Sequence, residues 1–438
     1  MQWGKDGQRS LARSALVESA EQLSRALALV ASLPSTPAMR REEIKLQVAL
    51  IIPLVHVKGY GATETKEAVQ KAQHLIQQAE ALGEPPDDPL LLFSVLFGFW
   101  VASYVSFNGR IVRELATQFM SFAEKQDGVV PRMVAHRVMG ISLLMTGDIT
   151  ESLTHLSHAI ALYNPLAHRA LATRFGQDER VSSLGYCALA RWITGYPETA
   201  LADADRAVAD ARELGQAATL MYALTLTCTT HLMTGSSVTA AKHLDEVAAL
   251  AEEKGALFWK VGGNLLRGSA LSMAGEAAPA INLITDGIAA WRSMGTTMWA
   301  TLRLSDLAKS RSDLKQFDEA WRRIGEAIST AEETLEKWWL AEVYRTAGDI
   351  ALRSASPDGT KAEAYFGRAL DIARFQQAKS FELRAAMSLA RLWRDQGKVQ
   401  QARELLAPVY GWFTEGFDRR DLKEAKALLD VLERDVEE

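Results

Sequence analysis

Six stretches of this chain can be laid on one another at a nearly constant offset, and that repetition limits the possible fold more than any other feature. The register is Gly, four residues, Ala, three residues, large apolar, two residues, small. The alanine falls at Ala200, Ala240, Ala280, Ala320, Ala362 and Ala402. The large apolar position holds Ala204, Leu244, Ile284, Ile324, Phe366 and Leu406. The final small position holds Ala207, Val247, Gly287, Ala327, Ala369 and Val409, spaced 40, 40, 40, 42 and 40 apart. Five residues before the alanine stand Gly195, Gly235, Gly275, Lys315 and Gly397, with Pro357 in the unit that carries two extra residues near Ser356 to Gly359.

Positions three and four apart share one helix face, and small side chains there let a second helix approach closely. The glycine ends the preceding helix, where a positive φ costs it nothing, and the chain turns back antiparallel. A unit of that period then holds two helices of about 15 residues, each about 22 Å long. Upstream the pattern continues with looser spacing through Ser19, Leu23 and Ala26, then Ala72, Ile76 and Ala79, then Ala116, Met120 and Ala123, then Gly147, Ser152, Leu156 and Ala159. The sequence predicts an all-α superhelical solenoid of about ten antiparallel helix pairs, irregular over 1–165 and regular over 166–438, the two parts continuous. The segments Leu33 to Met39 and Gly83 to Pro89 read as inter-helix loops.

The spelling resembles tetratricopeptide repeats, lengthened from their usual unit of about 34 residues to the period seen here. HEAT-type pairs share the longer period, but the order of small and large positions matches the tetratricopeptide motif. Such an array is quasi-one-dimensional, each unit touching its neighbours, with the curved face as the natural binding surface.

Composition agrees with a folded array. The 438 residues exceed what one core usually supports, with 48% hydrophobic and 24% charged residues. Against 54 acidic residues stand 49 Lys and Arg, a net charge of -5, which leaves no basic excess for nucleic acid. Cys187 and Cys228 are too few for a disulfide framework or a zinc site, so a cytoplasmic location is expected. The opening stretch MQWGKDGQRSLARSALVESAEQ lacks the apolar core of a signal peptide and reads like the middle of a protein. From Pro89 to Gly109 the chain carries no charge, a run long enough for a membrane span. Its four polar residues and its place in the array favour a helix buried between neighbours over such a span.

Several stretches resemble the helical C-terminal region of bacterial proteins that fuse a class III adenylate or guanylate cyclase domain to a signal-transduction ATPase. The resemblance lies in GQRSLARSALVESAEQLSRAL at 7–27, PDDPLLLFSVLFGFWVASY at 86–104 and RFGQDERV at 174–181. It continues in ALARWITGYPETALADADRAVADAREL at 188–214 and LARLWRDQGKVQQARELLAPVYGWFTEGFDRRDLKEAKALLD at 389–430. It implies a sensing or regulatory region that works with ATPase and cyclase domains. The sequence contains no G-x-x-x-x-G-K-[ST] phosphate loop and no strand pattern to carry cyclase aspartates. The chain is therefore expected to be the repeat portion alone, without catalysis or cofactor.

Three constellations are candidates for recognition. Trp259, Trp299, Trp339 and Phe381 recur at the start of the first helix of successive units, spaced 40, 40 and 42. Rings at one solenoid position either pack between units or present flat faces to a ligand. Arg384, Arg391 and Arg394 recur along one helix, where guanidinium groups could clamp carboxylates or phosphates, or simply pair with Glu382, Asp395 or Glu404. Glu151, His155 and His158 share a helix face at metal-ligand spacing, but a solvated face is the commoner origin of that pattern and no metal is expected. His136, His168 and His231 stand alone. The expected function is a regulatory scaffold that binds a protein segment or small signal in its groove. The alternatives are a helical enzyme with an internal pocket and an oligomerisation adaptor.

Overall fold

The computed structural model describes residues 2–12, 15–59, 62–84, 88, 90–126 and 128–437, and no strand occurs among them. Four antiparallel pairs come first: α1 (Gln2–Ala12) with α2 (Leu16–Ala31), α3 (Pro37–Lys58) with α4 (Thr63–Ala81), α5 (Leu90–Val105) with α6 (Gly109–Glu124), and α7 (Val129–Thr146) with α8 (Ile149–Leu162). Two one-turn helices, α9 (Pro165–His168) and α10 (Ala172–Phe175), lead into the regular array. There α11 (Glu179–Ile193) pairs with α12 (Pro197–Leu214), α13 (Ala217–Met233) with α14 (Ser237–Lys254), and α15 (Leu257–Ala274) with α16 (Ala277–Ser293). The last pairs are α17 (Ala300–Asp313) with α18 (Phe317–Thr334), α19 (Leu340–Arg353) with α20 (Gly359–Phe375), and α21 (Lys379–Asp395) with α22 (Val399–Gly411), closed by α23 (Arg420–Glu437).

Each of the ten final small positions lies on the second helix of a pair, and the alanine column is fully buried from Ala200 to Ala402. At Gly287 even a methyl group would stand 2.5 Å from Leu265, so this crossing of α16 over α15 admits only hydrogen. Where serine replaces the alanine, its hydroxyl finds a carbonyl on the paired helix: Ser19 donates to Gly7 and Ser152 to Gly140, both at 2.7 Å. A buried hydroxyl thus costs little, because it is satisfied. Gly195, Gly235, Gly275 and Gly397 all have positive φ, and Lys315 adopts the same left-handed conformation at φ 59°.

One expected loop is shorter than the sequence suggests. Leu33 to Met39 is loop only as far as Thr36, whose side chain accepts from the Met39 N–H and starts α3 at Pro37. Of Gly83 to Pro89, residues 85–87 and 89 lie outside the described residues. The uncharged stretch from Leu90 forms α5, 16 residues long and buried on several sides against its neighbours. No helix among the described residues is long and apolar enough to cross a membrane.

The expectation that units touch only their neighbours also fails, because successive turns of the superhelix meet along a seam. The N–H groups of Thr297 and Met298 donate to the carbonyl of Val105 at 2.8 and 2.9 Å. Those of Lys337 and Trp338 donate to Met145 at 3.0 and 3.3 Å, and the Ser380 hydroxyl to Trp192 at 2.5 Å. All three acceptors sit in the last turn of a first helix, where carbonyls have no partner within the helix. The next superhelical turn supplies donors to all three, the Trp192 carbonyl also accepting from the Gly195 N–H at 3.1 Å. Further along, Glu415 accepts from the N–H and hydroxyl of Thr199, both at 2.9 Å, and Arg419 forks onto Glu198 at 2.6 and 2.8 Å.

Candidate functional site

The first helices line the superhelical lumen, and because the turns are in contact the lumen is divided into chambers. The first is aromatic. Phe97, Trp100 and Tyr104 fall at i, i+3 and i+7 on one face of α5, stacked at centroid distances of 5.7 and 5.3 Å. Opposite them stand Phe258, Trp291 and Trp299, around a cavity of about 80 Å³. Hydrogen bonds run along its wall: the Trp299 indole N–H donates to the Tyr104 hydroxyl at 3.1 Å, which meets the Tyr186 hydroxyl at 2.6 Å. Tyr186 also bonds Tyr222, whose hydroxyl is 3.0 Å from that of Ser182. Trp299 itself sits at φ 63°, a left-handed conformation rare for a bulky residue and held here by its seam partners.

Two guanidinium groups complete the aromatic chamber. Arg137 is buried 2.9 Å from Glu179, its plane over the Phe97 ring at 4.8 Å. Burial pushes the Glu179 carboxyl up to about 7, with Arg137 acting against it. The segment 174–181 builds this wall: Asp178 caps α11 by accepting from the N–H groups of Arg180 and Val181, and the cap places Glu179 on Arg137. Gln177 lines the cavity beside them. The second guanidinium, Arg303, donates to the Ser269 hydroxyl at 2.5 Å, and that hydroxyl in turn donates to Asp306.

Asp306 faces the second chamber, a polar space of about 360 Å³. Arg384 spans it, donating to Asp421 at 2.6 Å and to Glu342 at 3.2 Å while its guanidinium lies 4.8 Å over the Trp192 ring. Arg345 holds the other edge of Glu342 at 2.8 Å. Burial alone would raise the Glu342 carboxyl, but Arg345 and Arg384 outweigh it and keep the acid below its usual range. Burial pushes Asp306 up to about 6, against the pull of Arg303. Arg391 and Arg420 stand at the rim, where Arg391 pairs with Glu424 at 3.3 Å.

The recurring aromatic column is divided between these features. Trp259 and Trp299 line the aromatic chamber and Trp339 the polar one, with 5%, 6% and 4% of their surfaces exposed. Phe381 is fully buried in the seam, edge-on to Trp192 and Trp339. Arg384 and Arg391 line the polar chamber, whereas Arg394 lies outside both and pairs with the adjacent Asp395. His155 meets His136 on α7, Nδ1 to Nδ1 at 3.0 Å, and the His158 ring also packs on His136. No group of three or more residues suited to hold a metal occurs among the described residues. Sequence reasoning missed Tyr104, Tyr186, Tyr222, Arg137 and Arg303. The available signal was an arginine inside each of two otherwise largely buried first helices, Arg137 on α7 and Arg303 on α17.

These features define an α-solenoid of tetratricopeptide-type repeats, wound until its turns touch. The chain is 22% identical over 392 residues to an uncharacterized protein of Rhizobium meliloti (strain 1021), covering 88% of this chain and 37% of that one. It therefore spans little more than a third of that relative's length. Among solved structures it is similar to a Rap protein complexed with competence and sporulation factor, at 12% identity and a TM-score of 0.56, over 90% of this chain and 99% of that one. This likeness is one of fold. No family model matches the chain.

Proposed function

We propose that the chain is a non-catalytic regulatory scaffold that captures an extended protein segment in the polar chamber of its lumen. The carrying observation is the set of charges lining that space: Arg384, Arg391 and Arg420, bridged to Glu342, Asp421 and Glu424 around an opening of about 360 Å³. Side chains of both signs suit a segment carrying both charges, and the amphipathic Trp339 face suits a side chain between them. The fold shared with a Rap protein crystallised with competence and sporulation factor supports this reading. The units of 1–165 and 166–438 act together, because the seam joins them. We further propose that the chain works as the repeat region of a longer signalling protein of the cyclase–ATPase type, in the cytoplasm. Two buried free thiols support a reducing compartment. Its share of the Rhizobium relative supports the greater length.

The test is selection of linear peptides from a phage-displayed library on the full chain, with affinities then measured by fluorescence anisotropy. Arg391 and Arg420 are partly exposed, so Arg391→Glu with Arg420→Glu should keep the helical signal and weaken the selected peptides by about tenfold or more. Arg394→Glu, outside the chamber, should leave them unchanged. Selected peptides that ignore the first pair of changes would move the site elsewhere. The isolated chain should neither hydrolyse ATP nor form a cyclic nucleotide, and turnover surviving rigorous purification would refute a non-catalytic role.

A further inference from the structure

The polar chamber contains one acid that no cation holds. Four carboxylates line it, those of Asp306, Glu342, Asp421 and Glu424. Arg345 and Arg384 hold Glu342, Arg384 and Arg420 hold Asp421, and Arg391 holds Glu424. The carboxylate of Asp306 has a single partner among the described residues, the Ser269 hydroxyl, which occupies one of its oxygens. The other oxygen is free, and the residue is partly exposed in the chamber.

The cations around Asp306 are spent elsewhere. Lys309, one turn further along α17, donates to Asp313 at 2.9 Å and to the Ser272 carbonyl at 2.8 Å. Arg345 is divided between Glu342 and Asp349. Arg303 lines the other chamber, and the Ser269 hydroxyl stands between it and Asp306, accepting from the first and donating to the second. Burial therefore pushes Asp306 up to about 6, with Arg303 and Lys309 acting against it only from a distance. At Glu342 and Asp421 burial acts in the same direction, but their arginines outweigh it.

The surroundings select among cations. No group of three or more residues suited to hold a metal ion occurs among the described residues. A guanidinium fork uses both carboxylate oxygens, and Ser269 has taken one. An ammonium is a point charge that one oxygen can hold. Met273, Met387 and Trp339 line the same space and offer apolar surface to a methylene stem. The chamber, about 360 Å³, is more than twice the roughly 150 Å³ that takes up benzene. A lysine side chain and the backbone that carries it have room there. The Trp339 indole N–H is without a partner in a residue 4% exposed, and it needs an acceptor. A peptide supplies one in its carbonyls, whereas a free amine has none.

We propose that Asp306 selects lysine in the captured segment: the ammonium takes the free carboxylate oxygen, and the methylenes lie along Met273, Met387 and Trp339. This assignment rests on segment capture in the polar chamber.

The probe is a phage-displayed library of random short peptides, selected in parallel on the full chain and on its Asp306→Asn variant. Asparagine keeps an oxygen to accept from Ser269, so the variant should fold. Lysine should be enriched at one position among the parent's binders and not among the variant's. In the tightest parent binder, acetylating that lysine should weaken binding at least about tenfold on the parent and little on Asp306→Asn. Arginine in its place should weaken binding several-fold on the parent. Carbodiimide, which couples an ammonium to a carboxylate in contact with it, should link the lysine to Asp306 in the parent, whether or not the variant folds. Binders without lysine, an equal acetylation penalty on both proteins, arginine held as tightly, or coupling to Glu342, Asp421 or Glu424 instead would each overturn the assignment and leave capture standing. A library that yields no binder would remove both.

Discussion

The indole N–H of Trp299 reaches the hydroxyl of Tyr104 across 195 residues of chain, at 3.1 Å, and so ties the fifth helix of the superhelix to the start of the seventeenth. The same hydroxyl meets Tyr186, so one oxygen serves both the seam and the wall of the aromatic chamber. Tyr104→Phe should destabilise the fold by about 1–3 kcal/mol, because it leaves two buried groups short of a partner. A urea-denaturation cycle with Trp299→Phe checks the pairing. Non-additivity of about 0.5 kcal/mol or more is expected, and simple additivity would mean that the two residues do not touch in solution.

Ala320 is fully buried in the alanine column on α18, which packs along α17. Ala320→Leu should cost about 1–3 kcal/mol by overpacking that crossing. An unchanged thermal midpoint would refute the close approach.

Lys315 holds a left-handed backbone conformation in the place where most units carry glycine. A side chain there costs about 1–2 kcal/mol, partly offset by the greater freedom glycine has in the unfolded chain. Lys315→Gly should therefore raise stability by up to about 1 kcal/mol, and a lower midpoint would show that the lysine side chain does more than occupy the turn.

His231 and His243 are buried with rings 5.0 Å apart, and burial pushes both down to about 4. Asp205 lies 3.6 Å from His231 but is largely exposed, so its charge is screened. A histidine depressed in the fold contributes stability that is complete above its unfolded pKa, near 6.5. That contribution is lost as pH falls toward 4, by up to about 1.4 kcal/mol per pH unit for each ring. Glu179 and Glu336, both raised to about 7 by burial, act in the opposite direction. The readout is therefore the difference between parent and His231→Phe: denaturation midpoints measured between pH 7 and pH 4 should fall less in the variant. Parallel curves would mean that His231 protonates in the folded state as it does in the unfolded one.

The local half of this architecture was legible and the long-range half was not, for a physical reason. Ala200 to Ala402 and the glycines before them answer to neighbours within one unit, and such contacts leave a period in the sequence. The bond from Met298 to Val105 is made by backbone, so no side chain records it. Trp299, Trp339 and Phe381 do recur, and their period is visible. What Trp299 and Phe381 touch across the seam, at Tyr104 and Trp192, depends on superhelical pitch, which no single unit specifies. Arg137 and Arg303 escaped because each is one residue without a column, and the polar chamber was glimpsed only through Arg384 and Arg391.

The seam also limits how such a chain can change over generations. An open array can gain a repeat by duplication anywhere, because no distant contact is disturbed. Here one extra helix pair between Trp192 and Thr297 would carry every later donor past its acceptor. Val105, Met145 and Trp192 would then face the linkers of the wrong units. Like a screw thread of fixed pitch, this molecule can be lengthened at its ends but not in its middle.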